Sequence, residues 1–428
     1  MVIHIVEPGE TVYSIAEMYG ITPYSLIEDN GLTDPAAILP GQALAILFPA
    51  QMHTVQEGET LDSIAAQYNV STFALMQNNP SLGGRTEVRP GQQLVISFEA
   101  ETLRSILLAG SAHAYIDEDT LRSALPFLAM INILYSTFNE DGEVIAPPGE
   151  ERILDMAEEY DVGLSMNLSA LNDNGEFSLV LSGRAINNLR MQENLINNLI
   201  STMQEKGYDS VILDFMNVIP EDKENYLRFI ETLASRLNAA GFPLVVRLYT
   251  YISGEEASLL LEGPDYVRIG NAVNAVILMV LATGYRLGAP RPGNPLDSVT
   301  EIVGRAVTEM PPEKIFICIP NYGFDWELPY RPGISAIRQI PNAEAIQLAQ
   351  DKNVEILFDE EAYSPYFYYT DDRGAPHVVH FGDARSVDAR ARLVDEYGLT
   401  GICMWSITEN YQPYWSVLNS LYDFEKME

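Results

Sequence analysis

The chain predicts an α/β protein: a (β/α)₈ barrel with a small α+β insertion between its seventh and eighth strands, preceded by two βααβ modules. Three observations predict this. From about Thr102 onward, short apolar runs alternate with amphipathic segments. The first hundred residues repeat themselves with a period close to 50 residues. The apolar run Val211-Ile212-Leu213 ends on one carboxylate, Asp214, and a barrel of this kind presents its active-site groups at the C-terminal ends of its strands.

The repeat comes first. His4-Ile5-Val6-Glu7-Pro8-Gly9-Glu10-Thr11-Val12 returns as His53-Thr54-Val55-Gln56-Glu57-Gly58-Glu59-Thr60-Leu61, and Pro40-Gly41-Gln42 returns as Pro90-Gly91-Gln92. Each copy reads as a strand, a glycine turn, a helix capped near Thr11 or Thr60, a second helix (23–29; 72–77) ending at Asn30 or Asn78-Asn79, and a closing strand after Pro-Gly. The copies span 1–49 and 50–99. This pattern resembles the LysM module, which binds N-acetylglucosamine-containing glycans such as peptidoglycan or chitin. The resemblance implies a sugar groove at Gly9, Glu10, Thr11, Val12 and Asn30 in the first copy. In the second it implies Gly58, Glu59, Thr60, Leu61, Asn79 and Pro80. The same residues also define the module's turns and caps.

The barrel occupies 100–428. Its expected strands are 106–109, 130–135, 163–167, 210–215, 243–248, 275–280, 315–319 and 401–405, separated by helices such as 192–204, 223–238, 296–309, 343–351 and 383–397. A doubly wound open sheet is the alternative, weakened by the absence of Gly-x-Gly-x-x-Gly and P-loop motifs. The stretch at about 330–382, with alternating segments around Asp371-Asp372-Arg373-Gly374, reads as the inserted subdomain walling a groove.

Composition narrows the chemistry. A net charge of −35, from 60 acidic and 25 basic residues, repels nucleic acid and anionic bilayers. No apolar run has the length of a membrane span, so membrane insertion is not expected. Cys318 and Cys403 lie in separate apolar runs, and the five histidines are scattered, so neither a disulfide framework nor a metal site is expected. No cofactor motif is present. The start at Met1 shows no signal peptide, which fits synthesis in the cytosol or a trimmed leader. No long apolar surface segment is visible, so a monomer is expected.

The run Asp209-Ser210-Val211-Ile212-Leu213-Asp214-Phe215-Met216 resembles the fourth-strand signature of glycoside hydrolase family 18, Asp-Gly-x-Asp-x-Asp-x-Glu. The segment 217–226, the stretch Pro320-Asn321-Tyr322-Gly323-Phe324-Asp325-Trp326, the stretch 381–386 and Met404-Trp405 extend the resemblance to LysM-bearing enzymes of spore-forming bacteria that act on spore cortex. That family cleaves β-1,4 bonds of N-acetylhexosamines with the substrate's own acetamido oxygen as nucleophile. The resemblance implies a general acid at the signature Glu, an Asp that orients the acetamido group, a Tyr-Asp pair on strand six, and a Trp under the sugar.

Three of those positions differ here. Met216 stands for the acid, and a thioether neither gives nor takes a proton. Leu281 and Ala282 stand for the Tyr and Asp, and Asn217 for a frequent Tyr. Losing a general acid alone costs ~10²–10⁴-fold. Among other carboxylates, Glu221, Asp222, Asp325 and Glu327 are not placed by the sequence at the scissile oxygen. Asp209, Asp214 and Met216 thus form a degenerate catalytic motif. Asp214, Tyr322 and Trp405 remain as candidates to hold a glycan, with Asp214 equally readable as a structural leftover.

The leading reading is a glycan-binding protein of the spore envelope or cell wall whose barrel has lost hydrolysis. The alternatives are an active N-acetylglucosaminidase with a substitute acid and a coat scaffold protein.

Overall fold

The computed structural model describes residues 1–99, 101–216, 218–252, 265–282, 290–331 and 334–427, with 251, 252, 281 and 282 described by backbone alone. Asn217 lies outside the described residues.

The barrel forms where the apolar runs predict it. Its strands, in order, are Arg104–Ala112, Met130–Phe138, Gly163–Ser169, Ser210–Asp214, Leu244–Ile252, Ala275–Ala282, Ile315–Pro320 and Gly401–Trp405. All pair in parallel, and strand one closes the barrel by pairing with both strand two and strand eight (Ala109 with Met130, Gly401 with Leu107). The alternative of an open sheet is therefore excluded. Strand side chains alternate between faces. One face of each strand packs against the surrounding helices, and the other fills the barrel with Ala109, Ile212, Val245, Ile277, Met279, Phe316, Cys318 and Cys403. This filled interior leaves chemistry to the strand ends.

The helices fall close to their expected places. Leu189–Lys206 ends at Gly207, whose left-handed backbone (φ 76°) stops the helix just before strand four. Lys223–Ala239 follows strand four and buries Phe229, Ile230, Leu233 and Leu237.

The insertion is a five-stranded antiparallel sheet, ordered Ile337–Pro341, Tyr322–Glu327, Pro376–His380, Ser364–Thr370 and Leu357–Asp359. It takes in Tyr322–Glu327, ahead of the stretch 330–382. Those six residues alternate, and Asp325 faces His377 and Tyr369 while Trp326 is buried with Phe324 and Val378. The helix Asn342–Lys352 covers the other face, with Ile340, Phe367, Val379 and Phe381 in the core between.

Each N-terminal module pairs its first and last strands antiparallel, Val2–Ile5 with Ala43–Ile46 and Pro49–Thr54 with Gln93–Phe98. Thr11 and Thr60 cap their helices through reciprocal bonds with Ser14 and Ser63. Both modules are docked on the barrel. In the first, Ser416 Oγ donates to Asp29 O (2.5 Å) and Ile356 N to Pro40 O (3.0 Å), and Leu39 enters the insertion's core. In the second, Gln77 Nε2 donates to Pro126 O (2.8 Å) and Tyr160 Oη to Gly84 O (2.9 Å), while Phe73 stacks on Tyr160.

Candidate active site and glycan-binding surfaces

Strand four carries the inward row Ser210, Ile212 and Asp214. Phe215, on the opposite face, packs against Phe138 and Phe229 and fixes which way the row points. Asp214 is wholly buried. Its Oδ2 accepts from Arg247 Nη1 (2.5 Å) and Asn167 Nδ2 (3.1 Å), and its Oδ1 accepts from the Tyr249 hydroxyl (2.7 Å). Arg247 and Tyr249 come from the inward row of strand five, and Asn167 from strand three. The register that places Val246 beside Leu213 brings Arg247 level with the carboxylate.

Arg247 is the centre of this cluster. Its guanidinium lies 4.2 Å from the ring centroid of Trp405, and Nη2 reaches Ser111 Oγ at 3.4 Å. Burial opposes its charge and is the largest single influence, but Asp214, together with Tyr249, Cys403 and Cys318, more than offsets it, so the ion pair stands. Burial, reinforced by the Asp214 charge, pushes the Tyr249 phenol well above its usual range and keeps it a donor. Tyr226 is pushed up for the same two reasons. Below Arg247, Cys403 and Cys318 are paired residues on neighbouring strands. Cys403 is pushed down to about 7, chiefly by a bond from Cys318 and against the cost of burial, with Arg247's charge assisting, whereas burial raises Cys318. Among the described residues, no group of His, Cys, Asp and Glu is arranged to hold a metal ion.

The residues predicted for this site separate. Asp209 lies at the opposite end of strand four, where its Oδ2 accepts from Leu164 N (2.7 Å); at ~3.3 Å per residue it is far from Asp214. Its role here is to fasten two strands, not to face a cleft. Met216 is half-buried, two residues past Asp214 and just beyond the strand. Leu281 and Ala282 end strand six opposite Tyr251 and Ile252. Trp405 and Tyr322 belong to different clusters: Asn321 N donates to Trp405 O (2.7 Å) at the strand ends, Trp405 packs on the barrel interior, and Tyr322 packs on Phe324 in the insertion. Trp326 is a core residue of the insertion (1% exposed).

The substitute acids are occupied or remote. Asp325 is buried and accepts from Tyr369 Oη and His377 Nδ1, both at 2.8 Å. Glu327 is on the same insertion strand, and Glu221 is exposed on the turn Pro220–Asp222. Asp222 accepts from Asn187 (2.8 Å). The sequence reading missed Arg247, Tyr249 and Asn167. The signal was present: Val245, Arg247 and Tyr249 share one face of an otherwise apolar strand.

In the modules, most predicted groove residues are spent on the fold. Asn30 donates Nδ2 to Leu26 O and Ala45 O and accepts from Ala45 N; Asn79 does the same with Leu75 and Val95. Glu10 accepts from Glu7 N and His4, and Glu59 from Gln56 N and His53, which lowers the pKa of both carboxyls. Val12 and Leu61 are buried at 1% exposure. Thr11 and Thr60 are caps, and Pro80 opens a short 3₁₀ turn. Gly9 and Gly58 hold positive φ (89° and 85°) with open space around them, so their loops offer backbone to solvent.

Comparison with known proteins agrees with this architecture. The family model for glycosyl hydrolases family 18 matches residues 111–410, and the LysM domain model matches 4–46 and 53–97. The cortical fragment-lytic enzyme of Bacillus anthracis is 33% identical over 416 residues, covering 96% of each chain. The crystal structure of the spore cortex-lytic enzyme SleL of Bacillus megaterium QM B1551 superposes with a TM-score of 0.81 at 28% identity, over 100% of this chain and 99% of that one. That of Bacillus cereus gives 0.80 at 30% identity, over 99% of each. With its barrel and both modules matched, the chain belongs to glycosyl hydrolases family 18 and carries two LysM domains.

Proposed function

We propose that the protein binds N-acetylglucosamine-containing glycan, such as peptidoglycan of the spore envelope, and does not hydrolyse it. The carrying observation is the buried Arg247–Asp214 ion pair, closed by Tyr249 and Asn167. An orienting Asp must meet an acetamido N–H, but here three protein donors already use both oxygens. Met216, at the position of the signature acid, has no proton to give. Trp405, with the guanidinium over one side, offers an aromatic face for a sugar ring. The two docked modules add exposed loop backbone at Gly9 and Gly58 for acetamido groups.

A second reading is hydrolysis of cortical fragments. It is favoured by full-length similarity to proteins named cortical fragment-lytic enzymes. Co-sedimentation with purified spore peptidoglycan, followed by muropeptide analysis of the supernatant, separates the two. Our reading expects the protein in the pellet and no new reducing ends. Released fragments with fresh N-acetylglucosamine ends would establish the second reading instead.

A further inference from the structure

We propose that the cleft between the second module and the barrel takes the peptide arm of a peptidoglycan strand and pairs the arm's ammonium with the cleft's open carboxylates, Asp62 and Glu87. This rests on the glycan-binding reading and deepens it, because it separates peptidoglycan from a bare chitin-like chain.

The cleft measures about 750 Å³, within the range of small-molecule sites. One wall belongs to the module; the other is formed by the barrel helices Glu118–Ala124 and Glu151–Glu159. Phe73, Met76 and Tyr160 line it with apolar surface. The two walls are fastened together. Tyr160 Oη donates to Gly84 O (2.9 Å), and Phe73 stacks on Tyr160 at 6.3 Å between centroids. Lys426 Nζ lies 4.4 Å from the Phe73 centroid and donates to the barrel carbonyls of Leu125, Leu128 and Tyr160. A cleft built before binding asks little reordering of the protein. The repeat supplies an internal comparison. Asp62 and Phe73 stand where the first module has Tyr13 and Tyr24, which face solvent at 74% and 61% exposure. The two copies thus differ at positions that line the cleft.

Charge selects the occupant. The cleft's two guanidinium groups are engaged: Arg122 meets Glu118 (2.9 Å), Glu159 (3.7 Å) and Tyr160 Oη (3.3 Å), and Arg85 pairs with Asp119. Asp62 accepts from Thr72 Oγ1 (2.8 Å), and neither Asp62 nor Glu87 has an ion-pair partner among the described residues. Both carboxylates are exposed. Two uncompensated carboxylates, on a chain of net charge −35, attract a cationic group and repel an anionic one. A chain of N-acetylglucosamine alone carries no charge to answer them. A peptidoglycan arm does: it brings a free ammonium, small apolar side chains for the surface of Phe73 and Met76, and amides for the polar rim. Its reach fits as well. The loop Gly58–Leu61, proposed above for acetamido groups, runs directly into Asp62, and an extended arm of three or four residues spans ~10–14 Å.

The test uses the full chain and soluble peptidoglycan strands in three forms: intact, with the arm amines acetylated, and with the arms removed by an amidase. Calorimetric titration reads the affinity for each. Intact strands are expected to bind about three- to tenfold more tightly than acetylated ones, the scale of one or two exposed ion pairs, and that advantage is expected to fade as salt is raised. Asp62→Asn combined with Glu87→Gln is expected to abolish the advantage and to leave the affinity for acetylated strands unchanged. Both exchanges are nearly isosteric at exposed positions, so the fold is kept, and unchanged binding of acetylated strands checks this directly. Equal affinity for intact and acetylated strands, or an advantage that survives the double variant, overturns the cleft; binding of arm-free strands then leaves the glycan reading standing. Failure of all three forms to bind overturns both.

Discussion

Arg247 decides what Asp214 is able to do. A buried carboxylate that accepts from an arginine, a phenol and an amide has donors on both oxygens, and breaking one partner of such a pair costs ~3–5 kcal/mol because the other is left charged and dry. Arg247→Met is therefore expected to lower unfolding stability by about that amount in urea titrations. Arg247→Met combined with Asp214→Asn is expected to recover a large part of it. A single-variant loss under about 1 kcal/mol would mean that the pair is solvated. The same cluster predicts that Met216→Glu alone stays inactive on chito-oligosaccharides, since Asp214 remains tied down. Turnover by that variant would show that Arg247 yields to substrate. The pair was legible only in part. Asp214 stood out as a carboxylate ending an apolar strand, but its partners are set by the register between strands three, four and five, which no local pattern encodes.

Elements were more legible than contacts. Eight apolar runs gave eight strands, because a parallel barrel buries both faces and leaves little alternation to misread. The insertion sheet was read too short at its start. Tyr322–Glu327 directly follows strand seven, and its alternation of Tyr322, Phe324 and Trp326 with Asp325 and Glu327 makes it a strand of that sheet, ahead of the expected start at about 330. The side-chain amides of Asn30 and Asn79 have partners that no local pattern gives: each bonds a closing strand about fifteen residues away. The junctions between elements carry two predictions. Asp29, buried where the first module meets the barrel, has its pKa raised from 3.8 to about 8 by burial and then by the Glu28 charge. A carboxyl raised in the folded state stabilises fully below its unfolded value and loses that contribution as pH climbs. Stability is thus expected to fall between about pH 4 and pH 8, and Asp29→Asn to flatten that slope in thermal melts. An unchanged slope would assign it to other groups. Gly84 (φ 75°) meets Arg122 O, which would lie 2.0 Å from an added Cβ. Gly84→Ala is expected to push the second module off its seat, seen as a larger radius of gyration in solution scattering. An unchanged radius would show that the seat tolerates the shift.

At the scale of the whole molecule, two modules and a barrel face one substrate class from a fixed arrangement. Docking through Asp29, Pro40, Gln77 and Gly84 makes the modules part of the barrel's surface instead of tethers on a flexible string. The expected behaviour is retention on polymeric glycan without its consumption. The most direct measurement is a time course of reducing ends from chito-oligosaccharides and from purified cortex fragments, run with protein in molar excess so that even one turnover registers, alongside calorimetric titration of the same samples. The account predicts bound glycan and a flat time course. Reducing ends rising to one per substrate would contradict it and show that an acid other than the signature Glu serves this barrel.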